Sequence, residues 1–144
     1  MPLAPFTTLG IGGEAEWLIT PMGHGDLLTA LDLCRTHGVP WHVLGGGSNV
    51  LIDDAGVPGA VIMPRGVCFE YVTVSGEHIV AGGAARVPKV LQQAADWGLG
   101  GLEPLAGIPG RLAGAVVGNA GGRHGDIGSA VSAVVFAVVI VGPP

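Results

Sequence analysis

The stretch Leu44-Gly45-Gly46-Gly47-Ser48-Asn49-Val50-Leu51 is the most informative part of the sequence. It begins at the end of an apolar run that predicts a strand at residues 41–44. Three consecutive glycines allow several backbone N–H groups to point into one concavity, where they can bind a diphosphate without a neighbouring lysine. An ordinary turn between two strands is the alternative interpretation, and the loop alone does not decide between the two.

This first glycine loop differs from two familiar phosphate-binding patterns. It lacks the G-x-x-x-x-G-K-[ST] pattern of a P-loop. It also lacks the G-x-G-x-x-G spacing of a Rossmann turn, and the residues after it, 50–52, predict a strand rather than a helix. We therefore expect neither P-loop nucleotide hydrolysis nor Rossmann-type dinucleotide binding.

A second glycine loop covers residues 107–115 and continues through residues 119–125. Its small residues allow the backbone to approach a ligand closely, and a short helix beginning there would present free N–H groups to an anion. Tight packing between elements is the alternative explanation. Two such loops in one small, weakly charged chain favour a long and mostly apolar dinucleotide as the ligand.

Composition indicates one domain, or part of one, with an ample core. Of 144 residues, 49% are hydrophobic and only 12% are charged, which excludes intrinsic disorder. The apolar spacing predicts a helix over residues 26–37 and another from Pro88, as the first helical residue, to Trp97. Short strands are predicted at residues 14–20, 41–44, 60–63, 67–74, 78–81 and 130–141. This mixture is typical of the α+β class.

Charge and hydropathy exclude several kinds of partner. Lys and Arg total 6 against 11 acidic residues, a net charge of −5, so we expect scattered cations and no basic face for nucleic acid or an anionic membrane. The longest apolar run, residues 130–141, is shorter than the about 20 residues of a transmembrane helix. The N-terminal residues show no signal-peptide pattern, which predicts a cytoplasmic location.

Single cysteine, histidine, arginine and tryptophan residues say less about function than the two glycine loops do. The two cysteines are expected to be buried free thiols, and the five histidines lack metal-ligand spacing, so no metal site is predicted. Arg123, inside the second loop, is the best-placed cation for a phosphate, with a solvated loop arginine as the alternative. The tryptophans at positions 17, 41 and 97 are expected to pack in the core or at an interface.

The motifs together resemble the UDP-N-acetylenolpyruvoylglucosamine reductase (MurB) family. Residues 44–51 resemble the family's LGGGSNxL signature, and residues 107–125 are similar to its GIPGxxGGAxxxNAGxxxG segment. Residues 7–13, 81–84 and 101–103 resemble the NTxGxGG opening, the GAG turn and the GLE segment. Order and spacing agree across nearly the whole chain, so the resemblance is far more specific than any single motif.

The resemblance implies an FAD-binding fold of the PCMH/vanillyl-alcohol-oxidase type. That fold consists of two small α+β subdomains, here approximately residues 1–65 and 66–144, the second of which need not be complete. The residues implied to wrap the FAD diphosphate are Gly45, Gly46, Gly47, Ser48, Asn49 and Val50. Those implied to line the isoalloxazine and ribityl side are Gly107, Ile108, Pro109, Gly110, Gly114, Ala115, Asn119, Ala120, Gly121 and Gly125.

The resemblance also implies a function. The family comprises FAD-dependent UDP-N-acetylmuramate dehydrogenases, which use NADPH to reduce the enolpyruvyl group of UDP-N-acetylglucosamine enolpyruvate, a step in peptidoglycan precursor synthesis. The family's catalytic arginine, serine and glutamate segments and its substrate-binding domain have no counterpart in these 144 residues. No catalytic residue is therefore assigned, and these residues alone are not expected to be active.

Five positions depart from the family pattern. Thr7 stands where asparagine is usual, Ala113 where glycine is usual, and His124 where an aromatic residue is frequent. Arg111 and Leu112 also replace the usual residues before Ala113. Two alternatives remain: a non-catalytic or truncated FAD-binding module, and another oxidoreductase of the same flavin superfamily.

Overall fold

The first part of the chain forms a parallel three-stranded sheet. In the computed structural model, which describes residues 1–135, the sheet contains β1 (Ala15–Ile19), β2 (Trp41–Val43) and β3 (Val57–Ile62) in the order β1-β3-β2. Ala60 of β3 pairs with a residue of each outer strand, so β1 and β2 do not pair with one another. Parallel strands need a crossover, and α1 (His24–Thr36) connects β1 to β2.

A buried apolar cluster lies against this sheet. Its members come from the N-terminal segment, from β1 and β3, and from the residues that directly follow β2 and β3: Leu3, Ala15, Leu44, Val61 and Met63. The N–H of Leu3 donates to the Gly13 carbonyl at 3.0 Å, which fixes the N-terminal segment over the sheet. Burying one leucine-sized side chain stabilises a fold by about 1.5–3 kcal/mol. Leu44 belongs to this cluster and directly precedes Gly45, so the core holds the start of the first glycine loop in place.

The second part of the chain combines short helices with two hairpins. The helices are α2 (Val67–Glu70), α3 (Val87–Asp96) and α4 (Leu112–Val117). The antiparallel hairpins are β4 (Val72–Ser75) with β5 (His78–Ala81), and β6 (Gly121–Gly122) with β7 (Gly125–Asp126). Short 3₁₀ helices occur at Ala4–Phe6, Glu103–Leu105 and Ile127–Ser129. A separate core joins Val87, Leu105, Ala115 and Ile127.

Both predicted helices are confirmed, with small differences at their ends. α1 begins at His24 rather than Asp26, because the Asp26 carboxylate accepts hydrogen bonds from the Met22 and Gly23 N–H groups and caps the first turn. Pro88 is the second helical residue of α3 rather than the first, since Arg86 is the N-cap. Gly98 ends this helix with a left-handed φ of 68°.

Three strand predictions need correction. Residues 50–52 form no strand. Within residues 67–74 the first four form α2, because the carbonyl of Gly66 accepts hydrogen bonds from the N–H groups of Phe69 and Glu70. Of the strand predicted at 130–141, residues 130–135 are not in a strand, and the rest lies outside the described residues. No helix within residues 1–135 has the length and apolar character needed to cross a bilayer.

Candidate functional site

The two glycine loops meet, although they are far apart in the sequence. A Cβ atom placed on Gly46 would lie 2.9 Å from the Cα of Gly110. A Cβ on Gly110, which has a φ of 97°, would lie 2.5 Å from the Oγ of Ser48. The contact therefore requires glycine at position 46, and the positive φ favours glycine at position 110. The sequence predicted close approach of these loops to a ligand, with tight packing between elements as the alternative, and the structure shows the packing contact.

A cavity of about 380 Å³ opens where the loops meet. This volume is within the range of small-molecule sites. The two glycine loops contribute Gly46, Ser48, Pro109, Gly110 and Arg111 to its lining. The rest of the lining comes from the N-terminal segment and from two arginines elsewhere in the chain: Pro5, Phe6, Thr7, Thr8, Arg65 and Arg86.

The N-terminal segment holds the first loop in place. The N–H of Thr8 donates to the Gly47 carbonyl at 2.9 Å, and a Cβ on Gly47 would collide with the Phe6 carbonyl oxygen. Thr7, which departs from the family's asparagine, donates its hydroxyl to the Ile11 carbonyl at 2.9 Å and so stabilises the same segment. Gly47 thus has a packing role, whatever its role toward a ligand.

Backbone hydrogen bonds fix the second loop against the start of α3. The Val87 N–H donates to the Gly110 carbonyl at 3.1 Å, and the Leu112 N–H donates to the Ala85 carbonyl at 2.8 Å. The N–H of Ala113 donates to the Gly83 carbonyl, also at 2.8 Å. The side chain of Ala113 is accommodated because its neighbour Gly83 has none: a Cβ there would lie 3.0 Å from the Ala113 Cβ.

Three arginines line the cavity, which corrects the prediction of scattered cations. Arg65, Arg86 and Arg111 are half of the six Lys and Arg residues of the chain. Arg111 makes an ion pair with Glu70 at 2.7 Å, and the same guanidinium nitrogen donates to the Ala84 carbonyl. Arg123, predicted to be the best-placed cation, is exposed in the turn between β6 and β7 and does not line the cavity.

Four of the sixteen predicted site residues line the cavity: Gly46, Ser48, Pro109 and Gly110. The others lie elsewhere in or near the two loops. Ala115 is buried in the second core, and Ile108 and Ala120 pack against that core. The Asn119 side chain donates to Asp126 at 3.2 Å and accepts from the Gly128 N–H at 3.0 Å, which braces the β6–β7 hairpin.

Several predicted residues therefore have a visible structural role, and their contact with a ligand stays a prediction. Gly121 and Gly125 belong to the small hairpin, where a Cβ on Gly125 would lie 3.2 Å from the Pro104 Cβ. Gly45, Asn49 and Val50 flank the cavity-lining part of the first loop. Gly107 lies three residues before Gly110 in the second glycine loop, and Gly114 lies within α4.

Sequence reasoning missed the contributions of Thr8, Arg65 and Arg86. None of them lies within a glycine loop, and tertiary packing alone brings them to the cavity. Only their positions next to predicted elements could have pointed to these two arginines, since Arg65 follows a predicted strand and Arg86 precedes a predicted helix. In residues 1–135, His, Cys, Asp and Glu side chains form no group of three or more that could hold a metal ion.

Comparison with known proteins identifies what the chain is similar to. Residues 15–143 match the family model described as FAD binding domain. A UDP-N-acetylenolpyruvoylglucosamine reductase from Anaeromyxobacter sp. (strain Fw109-5) is 43% identical over 137 residues, covering 94% of this chain and 42% of that protein. The relative of the same name from Synechococcus sp. (strain JA-3-3Ab) is 43% identical over 141 residues, covering 98% and 44%.

A solved structure gives the same result. The crystal structure of UDP-N-acetylenolpyruvylglucosamine reductase (MurB) from Thermus caldophilus matches with a TM-score of 0.73 and 41% identity, over 90% of this chain and 44% of that one. These matches confirm the predicted α+β FAD-binding fold and the resemblance read from the motifs. The chain spans less than half the length of these relatives.

Proposed function

The chain belongs to the FAD binding domain family, and we propose that it is the FAD-binding part of a UDP-N-acetylmuramate dehydrogenase. The proposal takes the reaction from relatives named UDP-N-acetylenolpyruvoylglucosamine reductase. UDP-N-acetylglucosamine enolpyruvate would be the substrate and NADPH the reductant, in the cytoplasm. Because the chain spans less than half of those relatives, the proposal assigns it cofactor binding and no catalytic residue.

One observation carries the proposal. The two glycine loops are in backbone contact beside a cavity of about 380 Å³, and a side chain on Gly46 would collide with the Gly110 backbone. A dinucleotide diphosphate needs backbone N–H groups that it can approach without a Cβ in the way. The residues that line the cavity therefore fit the diphosphate of FAD.

In this proposal each glycine loop binds a different part of FAD. The residues that would hold the diphosphate are Gly45, Gly46, Gly47, Ser48, Asn49 and Val50. Those on the isoalloxazine and ribityl side would be Gly107, Ile108, Pro109, Gly110, Gly114, Ala115, Asn119, Ala120, Gly121 and Gly125. When bound, FAD supplies hydride transfer between the reductant and the substrate.

We also propose two subdomains, approximately residues 1–65 and 66–144. The support is the separation of the two buried clusters. The first contains residues between Leu3 and Met63, and the second contains residues between Val87 and Ile127. Each cluster would be the core of one subdomain, with the cofactor between them.

The test is FAD binding by the 144-residue chain. We expect purified protein to be yellow, or to quench the fluorescence of added FAD. Gly46→Val should abolish binding, because its Cβ would push the Gly110 backbone away. Gly25→Val in α1 is the matched control, since a Cβ on Gly25 meets nothing within 4 Å.

Circular dichroism of both variants separates loss of the site from loss of the fold. A folded Gly46→Val variant that binds FAD as tightly as the parent would show that the loop is assigned wrongly. NADPH oxidation, measured with and without the enolpyruvyl substrate, then distinguishes a catalytic chain from a binding module.

A further inference from the structure

We propose that Arg65 and Arg86 contribute the positive charge that binds the diphosphate of FAD, while Arg111 holds the second glycine loop in position. This inference rests on the proposed function, because it concerns the same cavity. It assigns specific side chains to a diphosphate site that the sequence alone predicted to depend on backbone amides. The argument depends on where the arginines are anchored, how their charges are balanced and what else lines the cavity.

Arg65 and Arg86 reach the cavity from two anchored points of the fold. The N–H of Arg65 donates to the Pro21 carbonyl at 2.9 Å, which ties the segment after β3 to the segment after β1. Arg86 is the N-cap of α3, and its backbone forms an isolated bridge with Arg111. Because each backbone is fixed, only side-chain freedom is lost when a guanidinium group binds an anion.

The charges of the three arginines are balanced differently. Arg111 is paired with Glu70 at 2.7 Å. Over residues 1–135, neither Arg65 nor Arg86 makes an ion pair, and no carboxylate is among the described residues that line the cavity. Two uncompensated positive charges in a chain of net charge −5 form a local site for an anion.

The cavity lining favours a diphosphate over a carboxylate as that anion. Guanidinium groups bind both carboxylate and phosphate oxygens through paired, charge-assisted hydrogen bonds, so the number of negative charges decides between the two anions. A diphosphate within a dinucleotide carries one negative charge on each phosphate, which matches two arginines. Gly46 and Gly110 line the same cavity, so the arginines and the glycine backbone would contact one group. We assign that group to FAD rather than to a free nucleoside diphosphate because both glycine loops participate.

The experiment compares FAD with riboflavin, which has the same ring system and no phosphate. Arg65→Gln and Arg86→Gln should each weaken FAD binding about tenfold, as expected for the loss of one charge-assisted contact, and should leave riboflavin binding unchanged. The double variant should be about a hundredfold weaker and less sensitive to salt. Arg86→Lys should have an FAD affinity between those of the parent and of Arg86→Gln, since it keeps the charge but loses the paired hydrogen bonds.

Arg35→Gln is the matched control. Arg35 carries the same charge, but it lies on α1, where it pairs with Asp32 and does not line the cavity. Its FAD affinity should equal that of the parent. Melting temperatures close to the parent's would show that all variants are folded.

Different results would overturn the two proposals. A parent chain that fails to bind FAD contradicts the proposed function itself. If the parent binds FAD and the Gln variants bind it equally well, only the assignment of Arg65 and Arg86 is wrong. Equal loss of riboflavin affinity would also reject it, because the effect would not come from the phosphates. Arginine-dependent binding of UDP together with arginine-independent binding of FAD would assign the cavity to another diphosphate.

Discussion

Gly46 and Gly47 are adjacent in the first glycine loop, but a side chain would meet different parts of the molecule at the two positions. At Gly46 it would meet the backbone of the second loop, and at Gly47 the backbone of the N-terminal segment. Gly47 also has a φ of 65°, in the left-handed region that disfavours other residues. The two glycines therefore make separable contributions, one to the cavity and one to the anchoring of the loop.

This difference predicts the effect of Gly47→Ala on stability. The left-handed backbone costs an alanine about 1 kcal/mol, and the collision with the Phe6 carbonyl should add about 1–3 kcal/mol of overpacking. Gly10→Ala is the control, because Gly10 has nearly the same φ of 68° and a Cβ there meets nothing within 4 Å. Urea unfolding of both variants measures the difference. Equal destabilisation would mean that the Phe6 contact does not constrain the loop.

Among the secondary-structure elements, α2 and the second glycine loop are joined by the ion pair between Glu70 and Arg111. The Arg111 side chain is 14% exposed and that of Glu70 is 40% exposed. A largely buried guanidinium group that loses its partner costs more than an exposed one. The exposure of Glu70 moderates the effect, since water can replace part of the lost interaction.

We expect Glu70→Gln to lower the free energy of unfolding by about 1 kcal/mol, because Arg111 keeps its hydrogen bond to Ala84 but loses its counter-charge. Glu77→Gln makes the same chemical change in the exposed turn between β4 and β5, and Glu77 has no ion pair within residues 1–135. Its effect should be close to zero. Thermal melts of the two variants provide the measurement, and equal melting temperatures would refute a bracing role for Glu70.

The sequence predicted those elements whose pattern is local. α1 and α3 follow from apolar spacing and from Gly38 and Gly98 after their ends, both of which have positive φ. α2 escaped prediction, because Val67 to Glu70 has a β-prone composition and its helical turn depends on the Gly66 backbone. The sequence predicted that the two glycine loops share one groove, although not the direct contact between Gly46 and Gly110. Arg65 and Arg86 were not predicted, because they lie outside both loops.

Across the whole molecule, the tryptophans lie nearer the surface than expected. Trp17, Trp41 and Trp97 are 61%, 45% and 38% exposed, so the prediction of core packing is wrong for all three, and interface packing stays untested. Trp17 also lines a second cavity of about 630 Å³ beside α1, together with Leu33 and Cys34. Cys34 is buried as predicted, whereas Cys68 is only partly buried.

Tryptophan fluorescence tests this distribution. Since each tryptophan residue is more than one-third exposed, we expect the emission maximum of the folded chain to shift only slightly on unfolding in urea. Far-ultraviolet circular dichroism, recorded on the same samples, serves as the control that unfolding has occurred. A large red shift accompanying loss of the dichroism signal would show that the indoles are shielded from water in solution.

The strand order of the parallel sheet has a consequence for the newly made polypeptide. Within residues 1–135, β1 and β2 pair only with β3, which is the last of the three to be synthesised. At about 5–20 residues per second, Ile62 at the end of β3 is added roughly 1–4 s after Val43 at the end of β2. Until then the two earlier strands have no neighbour in their sheet, which makes this interval the one in which a chaperone would protect the nascent chain.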